Sequence, residues 1–255
     1  MTASQRVLDM LRTQYTFQIS VDVDSIPQGL AVAQAALNAG ITIVELGTPL
    51  LKYEGVRNVV PVFRQRFPEA LLLADMKTMD GGGFEARTVY EGGGNIIDFL
   101  AAAGVPSARA VCAVRDEYRE RNPGIPRLAF ADILLPLQGP AATAVEVAEQ
   151  MVEAGVDGVG LHLQLDARRA DPSLWASSYL ADVAQAVYER VGGRASVQVV
   201  GGLSADQAVG LAQAGLMAFV ISGNMGLPDG NARYDLPPAE LEALIDEFIG
   251  RVKAD

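Results

Sequence analysis

The sequence predicts an α/β protein, a single (β/α)8 barrel with an extra helix ahead of the first strand, and three observations carry that expectation. Short apolar runs rich in β-branched residues alternate with longer amphipathic stretches, at roughly thirty residues per strand–helix unit. The apolar runs are nearly continuous, as strands covered on both faces by helices must be. The chain has 255 residues, close to the size of about 250 that one such barrel requires. An open doubly wound sheet would need a switch point and often a glycine-rich first turn. The first turn here is Asp22-Val23-Asp24-Ser25-Ile26-Pro27, with no glycine in it.

Residues 1–14 read as the extra helix and residues 15–255 as the barrel domain. The strands are expected at 17–23, 42–46, 70–77, 95–100, 127–135, 158–162, 196–201 and 218–222. The helices are expected at 28–39, 55–66, 84–91, 107–121, 141–154, 174–191, 205–214 and 238–252. Three of these helices run into Ala39-Gly40, Ala154-Gly155 and Ala214-Gly215, the glycine punctuation that follows a helix C-terminus. No linker or low-complexity tract divides the chain.

Composition narrows the function. Half the residues are hydrophobic, enough for a large core, and the formal net charge is −11 with a pI near 4.6. That acidity argues against a nucleic-acid or anionic-membrane partner, since either needs a basic face. The N-terminal residues carry Arg6 and Asp9 and no signal-peptide core, and the charge-free stretch 207–228 is broken by Gly210, Gln213, Gly215, Gly223 and Asn224. The single cysteine, Cys112, rules out a disulfide framework and fits a reducing, cytoplasmic setting.

In a barrel of this kind, chemistry sits where strands end and turn into helices. The residues there are Asp22, Glu45, Asp75, Lys77 with Asp80 beyond it, Asp98, Asp132, and His162 followed by Asp166. Acidic groups inside apolar runs are expensive to bury unless paired or metal-bound. In ALLLADMKTMD, Asp75 and Lys77 are two apart on a strand and share a face; if Leu71 and Leu73 fill the barrel, both top its interior. The trio Asp75, Lys77 and Asp80 is then either a catalytic network or a structural salt bridge at the barrel mouth. Glu45 and Asp75, on neighbouring strands, suit an oxygen-ligated Mg²⁺, while Glu45 can equally pair with Lys77. His162, the lone histidine, stands at a strand end, where it can act as acid or base; a structural role is the alternative. Gly201-Gly202 and Gly223-Asn224 close the last two strands ahead of helices, where backbone N–H groups can receive a phosphate or simply turn the chain.

The segment LADMKTMD (73–80) resembles the Asp-x-Lys-x-x-Asp signature of the 3-hexulose-6-phosphate synthase and 3-keto-L-gulonate-6-phosphate decarboxylase family, which is more distantly similar to orotidine-5′-phosphate decarboxylase. VELGTPLLKYEG (44–55), VDGVGLHLQLD (156–166), VVGGL (199–203) and FVISGN (219–224) are similar to other segments of that family, and the Lys-Thr-Met-Asp form resembles the synthase most. The resemblance implies a Mg²⁺-dependent barrel that stabilises an enediolate of a ketose phosphate. It implies that Glu45 and Asp75 bind Mg²⁺, that Lys77 lies against the enediolate oxygens, and that His162 moves the proton. Asp22 would contact substrate hydroxyls or support Lys77, and Asp166 would lie near His162. Asp80 would reach across a homodimer interface into a shared active site, and Gly201, Gly202, Gly223 and Asn224 would receive the phosphate.

The implied reaction is condensation of formaldehyde with D-ribulose 5-phosphate to D-arabino-hex-3-ulose 6-phosphate. The decarboxylase branch carries an arginine three residues past the histidine, where this chain has Leu165, which favours the synthase. Asn224 stands where decarboxylases hold an arginine for phosphate, Gln164 replaces a small residue, and segment 103–127 is longer than the pattern. Sugar-acid phosphate decarboxylation is the runner-up. Metal-free orotidine-5′-phosphate decarboxylation is a third reading, and a non-catalytic sugar-phosphate-binding barrel is the reading from another class.

Overall fold

The structure is a computed structural model, and it describes residues 1–136, 141–176, 178–227 and 232–254. Residues 137–140, 177, 228–231 and 255 lie outside the described residues, 177 among them within the helix expected at 174–191. Eight parallel strands close into a barrel in chain order: β1 Thr16–Val21, β2 Ile43–Leu46, β3 Leu71–Thr78, β4 Ile96–Leu100, β5 Leu128–Leu135, β6 Gly158–Leu163, β7 Ser196–Val200 and β8 Ala218–Ile221. β8 pairs back onto β1, with Thr16 beside Ala218, so the sheet has no edge.

The connecting helices are α2 Ile26–Asn38, α3 Thr48–Glu54, α4 Val56–Arg66, α5 Gly82–Glu91, α6 Gly104–Arg121, α7 Ala141–Glu153, α8 Leu165–Ala170, α9 Ser173–Ala176, α10 Tyr179–Val191, α11 Ala205–Gln213 and α12 Pro238–Lys253. α3 and α8 stand where the sequence predicts loops, and the stretch expected as one helix over 174–191 is divided between α9 and α10. α2 ends as its Ala-Gly punctuation predicts. Gly40 takes φ +89°, its N–H reaches Leu37 O at 3.1 Å, and Ile41 N reaches Ala36 O at 3.1 Å. That is the paired closure of a helix C-terminus which only an unhindered left-handed residue permits; α7 and α11 end the same way at Gly155 and Gly215.

Alternation along the strands sorts side chains into two apolar shells. Ile19, Val44, Leu72, Ile97, Ala131 and Leu161 point outward and pack under the helices. Ile43, Leu73, Ile96, Leu128 and Phe130 point inward and fill the N-terminal half of the barrel. The Phe130 ring fits because β6 contributes Gly158 beside it: a Cβ there would lie 2.8 Å from the ring.

The extra helix, α1 Ala3–Thr13, closes this end. Leu11 is buried among the inward residues, with Val7, Leu8 and Met10 beside it. Ala3 N donates to Pro123 O at 3.2 Å, Arg127 N donates to Ser4 Oγ at 3.0 Å, and Arg12 caps the carbonyls of Gly192 and Gly193. Burial of a leucine stabilises by roughly 1.5–3 kcal/mol, so α1 is both stopper and ballast for the barrel floor.

β3 is irregular at its upper end. Asp75 pairs with Asp98, yet Thr78 pairs with Phe99, so Met76 and Lys77 are inserted as a bulge. Lys77 sits in the bulge at φ +46°, a left-handed conformation that costs a non-glycine residue about 1–3 kcal/mol.

Candidate active site

Above the apolar floor the barrel interior turns polar, because β1 to β7 each carry a hydrogen-bonding or ionisable residue at an inward position there. β1 supplies Gln18 and Ser20, β2 Glu45, β3 Asp75, β4 Asp98, β5 Asp132, β6 His162 and β7 Gln198. A hydrogen-bonded chain runs across one side: Gln198 Nε2 donates to Gln18 Oε1 at 2.9 Å, Gln18 donates to Glu45, and Ser20 Oγ lies 2.8 Å from Glu45 Oε1 and 2.9 Å from Asp22 Oδ2. Thr48, the first residue of α3, donates to Asp75 Oδ2 at 2.7 Å.

The opposite side is organised around Lys77. Its Nζ is 2.9 Å from both oxygens of Asp75 and 3.0 Å from Asp132 Oδ2. His162 Nδ1 is 3.0 Å from the same Asp132 oxygen. Asp132 is sealed at 3% side-chain exposure, whereas Lys77 and His162 keep 24% and 22%. One buried carboxylate thus holds two half-exposed groups that face the mouth.

Electrostatics distinguish the carboxyls. Burial pushes Asp132 up, but the His162 ring and Lys77 ammonium more than reverse this and leave it at about 2. An ionised Asp132 can only accept, so in a neutral imidazole Nδ1 carries the proton and Nε2 the lone pair. Burial works against the Lys77 charge, yet Asp75, Asp132 and Asp98 hold it protonated well beyond the ordinary range. Burial, then the neighbouring Asp75 and Asp22, push Glu45 up to about 8. Asp22 is raised by burial and by Asp75, and Asp98 well raised by burial, Asp132 and Asp75. Among the described residues, Asp98 Oδ1 and Asp132 Oδ1 are buried without a hydrogen-bond partner.

A cavity of about 390 Å³ opens above this layer. Asp22, Glu45, Asp75, Lys77 and His162 line it, together with Gly201, Gly202 and Asn224. These predicted residues from six strand ends are therefore brought together. Gly223 is buried behind the lining, its carbonyl accepting from Arg233 N at 3.1 Å. Asn224 packs at the turn, with Ser222 Oγ 2.7 Å from its Oδ1 and its Nδ2 donating to Leu227 O at 3.3 Å.

The structure does not bring Asp166 or Asp80 into the cavity. The chain after β6 is helical, and α8 turns Leu165, Arg168 and Arg169 toward the cavity while the Asp166 side chain is 95% exposed beside Arg169. Positions i, i+3 and i+4 share a helix face and i+1 does not. Asp80 is exposed on the rim, accepting from Gly81 N at 2.8 Å. Sequence reasoning left Thr48, Arg168 and the bridging role of Asp132 out of the site. Asp132 stands at a strand end like the others, and that position is the signal that marks it.

The donor set suits a hard divalent cation. Asp22, Glu45 and Asp75 bring carboxylate oxygens to the mouth, where burial and then their mutual repulsion raise Glu45 and Asp22. Among the described residues no three His, Cys, Asp or Glu side chains form a ready-made metal cage. Two carboxylates completed by water and substrate oxygens is the arrangement Mg²⁺ commonly takes.

Fold and site together define a (β/α)8 barrel with an acid–lysine–histidine mouth. The chain belongs to the orotidine 5′-phosphate decarboxylase / HUMPS family, whose profile matches residues 15–171, more than half of it. It is 30% identical over 136 residues to a 3-hexulose-6-phosphate synthase of Methylomonas aminofaciens, covering 53% of this chain and 59% of that protein. It is 33% identical over 113 residues to a probable 3-keto-L-gulonate-6-phosphate decarboxylase of Haemophilus influenzae, covering 43% of this chain and 49% of the other. The matches thus span only about half the length of these relatives, 59% and 49%. In fold it is similar to a crystal structure of 3-hexulose-6-phosphate synthase, with TM-score 0.73 and 23% identity, covering 91% of this chain and 99% of that one. No helix among the described residues is long and apolar enough to cross a membrane.

Proposed function

We propose that this chain is a Mg²⁺-dependent aldehyde-lyase of the hexulose-phosphate synthase type, joining formaldehyde to D-ribulose 5-phosphate to give D-arabino-hex-3-ulose 6-phosphate. The observation that carries this reading is the single Asp132 oxygen at 3.0 Å from both Lys77 Nζ and His162 Nδ1. It couples a fixed positive charge to an imidazole whose outer nitrogen, Nε2, is free to accept a proton.

His162 Nε2 takes the proton from C1 of the ketose, and the electron pair moves onto the carbonyl oxygen. The Lys77 ammonium stabilises the charge that develops there, in a site where fixed charges act more strongly than in water. C1 then bonds to the carbon of formaldehyde, and the alkoxide so formed takes the proton back from His162. Asp132 keeps the imidazole in the required tautomer throughout. Glu45 and Asp75 are the residues that would hold Mg²⁺, which when bound supplies concentrated positive charge against substrate oxygens. Asp22 would meet a sugar hydroxyl.

The same reading makes the protein a cytoplasmic homodimer in which Asp80, on an exposed rim with Met79 and Phe84, serves the partner's mouth. The similarity to the Haemophilus influenzae protein supports the second reading, decarboxylation of a 3-keto sugar-acid phosphate. Against it, the exposed Leu165 lines the cavity from α8 and offers no charge to a carboxylate.

Incubation with ribulose 5-phosphate, formaldehyde and Mg²⁺ tests the proposal, which expects stoichiometric loss of formaldehyde. Release of CO₂ from 3-keto-L-gulonate 6-phosphate without formaldehyde consumption would establish the decarboxylase instead. Ketose-phosphate binding without turnover in either assay would leave a binding barrel.

A further inference from the structure

A phosphorylated substrate presents a dianion to a protein of net charge −11 whose cavity floor is lined with carboxylates. The end of the cavity at the β7 and β8 turns must therefore supply positive charge as well as backbone N–H groups. The usual anion seat there, the N-terminus of α11, is largely occupied by its own chain. Ser204 Oγ accepts from Gln207 N at 3.2 Å, and Gln207 Oε1 accepts from Ser204 N at 2.9 Å. Asp206 in the first turn is turned out to solvent and paired with Arg251, so it offers nothing to an anion. Asn224 is engaged by Ser222 and Leu227.

We infer that Arg168 is the phosphate-recognising residue of this chain, reaching the β7 turn from α8 and replacing the charge that the β8 turn lacks at Asn224. This rests on the proposed sugar-phosphate function and names the residue that would select for it. Arg168 lines the cavity although it is only 6% exposed, and its Nη1 donates to Gly201 O at 3.0 Å. A guanidinium held in this way presents a planar fork matched to phosphate oxygens.

Gly202 makes the approach feasible. A Cβ on it would stand 2.7 Å from Arg168 Nη1 and 2.2 Å from Asn224 Nδ2, so these groups and the bare backbone converge on one spot. Its φ of +72° also turns the peptide as few other residues allow. β7 lies opposite β3 in the closed order of strands, so a group bound here holds the far end of a sugar whose other end meets Lys77. Leu165 and Arg168 share one face of α8, which places an apolar wall and a charge on the same side of the cavity.

The test compares wild type with Arg168→Gln, Arg168→Lys and, as a surface control, Arg190→Gln, whose side chain pairs with Glu149 outside the cavity. Inorganic phosphate is titrated into each by calorimetry, which needs no turnover. Phosphate affinity is expected to fall at least tenfold in Arg168→Gln, to recover in part in Arg168→Lys and to stay unchanged in Arg190→Gln. In the lyase assay the KM for ribulose 5-phosphate should rise about a hundredfold in Arg168→Gln with kcat little altered, while turnover of unphosphorylated D-ribulose is the same in both proteins. Unchanged phosphate affinity in Arg168→Gln, or no phosphate binding by the wild type, overturns the inference. If Arg168→Gln does not fold, Arg168→Lys decides: wild-type affinity and KM in a folded Lys variant overturn the planar-fork assignment, and weakened values uphold it. Because the titration is independent of activity, failure of the lyase reaction leaves this result readable, and failure of the titration leaves the lyase reading standing.

Discussion

Lys77 and Asp132, 55 residues apart in the chain, meet at 3.0 Å across the barrel interior, and the contact depends on a bulge that lifts the lysine out of strand register. In the proposed reaction this pair sets the charge that receives the developing oxyanion.

Asp132→Asn should therefore slow the lyase reaction by two or more orders of magnitude, since the amide no longer fixes the His162 tautomer. It should also destabilise the fold by on the order of 2–3 kcal/mol at neutral pH, from a carboxyl lowered to about 2 against an unfolded value near 3.9. A depressed carboxyl stabilises above its unfolded pKa and loses that contribution as pH falls toward its folded value. The stability gap between wild type and variant should thus close between pH 4 and pH 2 in urea titrations.

Removal of divalent cations by EDTA should abolish turnover and Mg²⁺ should restore it. Glu45→Gln should lower the Mg²⁺ concentration dependence of activity by at least about tenfold in affinity, as loss of one of few ligands does. Mg²⁺ should raise the thermal midpoint of the wild type, and the same variant should lose that rise, a readout that does not depend on catalysis.

Asp80 gives a subunit-mixing prediction. In the proposed homodimer, Asp80→Ala and Lys77→Ala proteins should each be inactive, and refolding an equal mixture should recover about a quarter of wild-type activity, because half the dimers would be mixed and one of their two sites would be intact. Absence of recovery would show that Asp80 does not act across an interface.

Leu11→Ala should cost roughly 2–5 kcal/mol by leaving a cavity at the barrel floor. KM and kcat should stay near wild type, because Leu11 packs against Ile43, Leu73 and Phe130 and not against the polar layer. Chemical denaturation followed by steady-state kinetics separates the two effects.

Cys112 should resist iodoacetamide in the native protein at pH 8 and react fully once unfolded. Burial raises its thiol to about 11, so the reactive thiolate is scarce at that pH.

Strand alternation made much of this legible in the sequence. Leu71 and Leu73 do accompany Asp75 on the inward side, and Gly201, Gly202 and Asn224 do stand at the cavity. Lys77 reaches Asp75 for a different reason than two-residue spacing: a left-handed residue in a bulge has no sequence signal as strong as a glycine. The omission of Arg168 and the placing of Asp166 near His162 have one cause. Six residues of helix follow β6, too few for periodicity to declare itself, and that single turn and a half exchanges which of the two faces inward. Thr48 escaped for the same reason at α3.

The stoppered floor has a kinetic consequence. With α1 and the inward apolar residues filling the lower half, the barrel is, among the described residues, a vessel open at its mouth and closed at its floor. In the proposed reaction the bulky sugar phosphate and the small aldehyde would have to enter by the same doorway, and whichever arrived first would lie beneath the other. Order of arrival, inhibition by excess of either reactant and the queue for departure are then set by geometry at a single threshold.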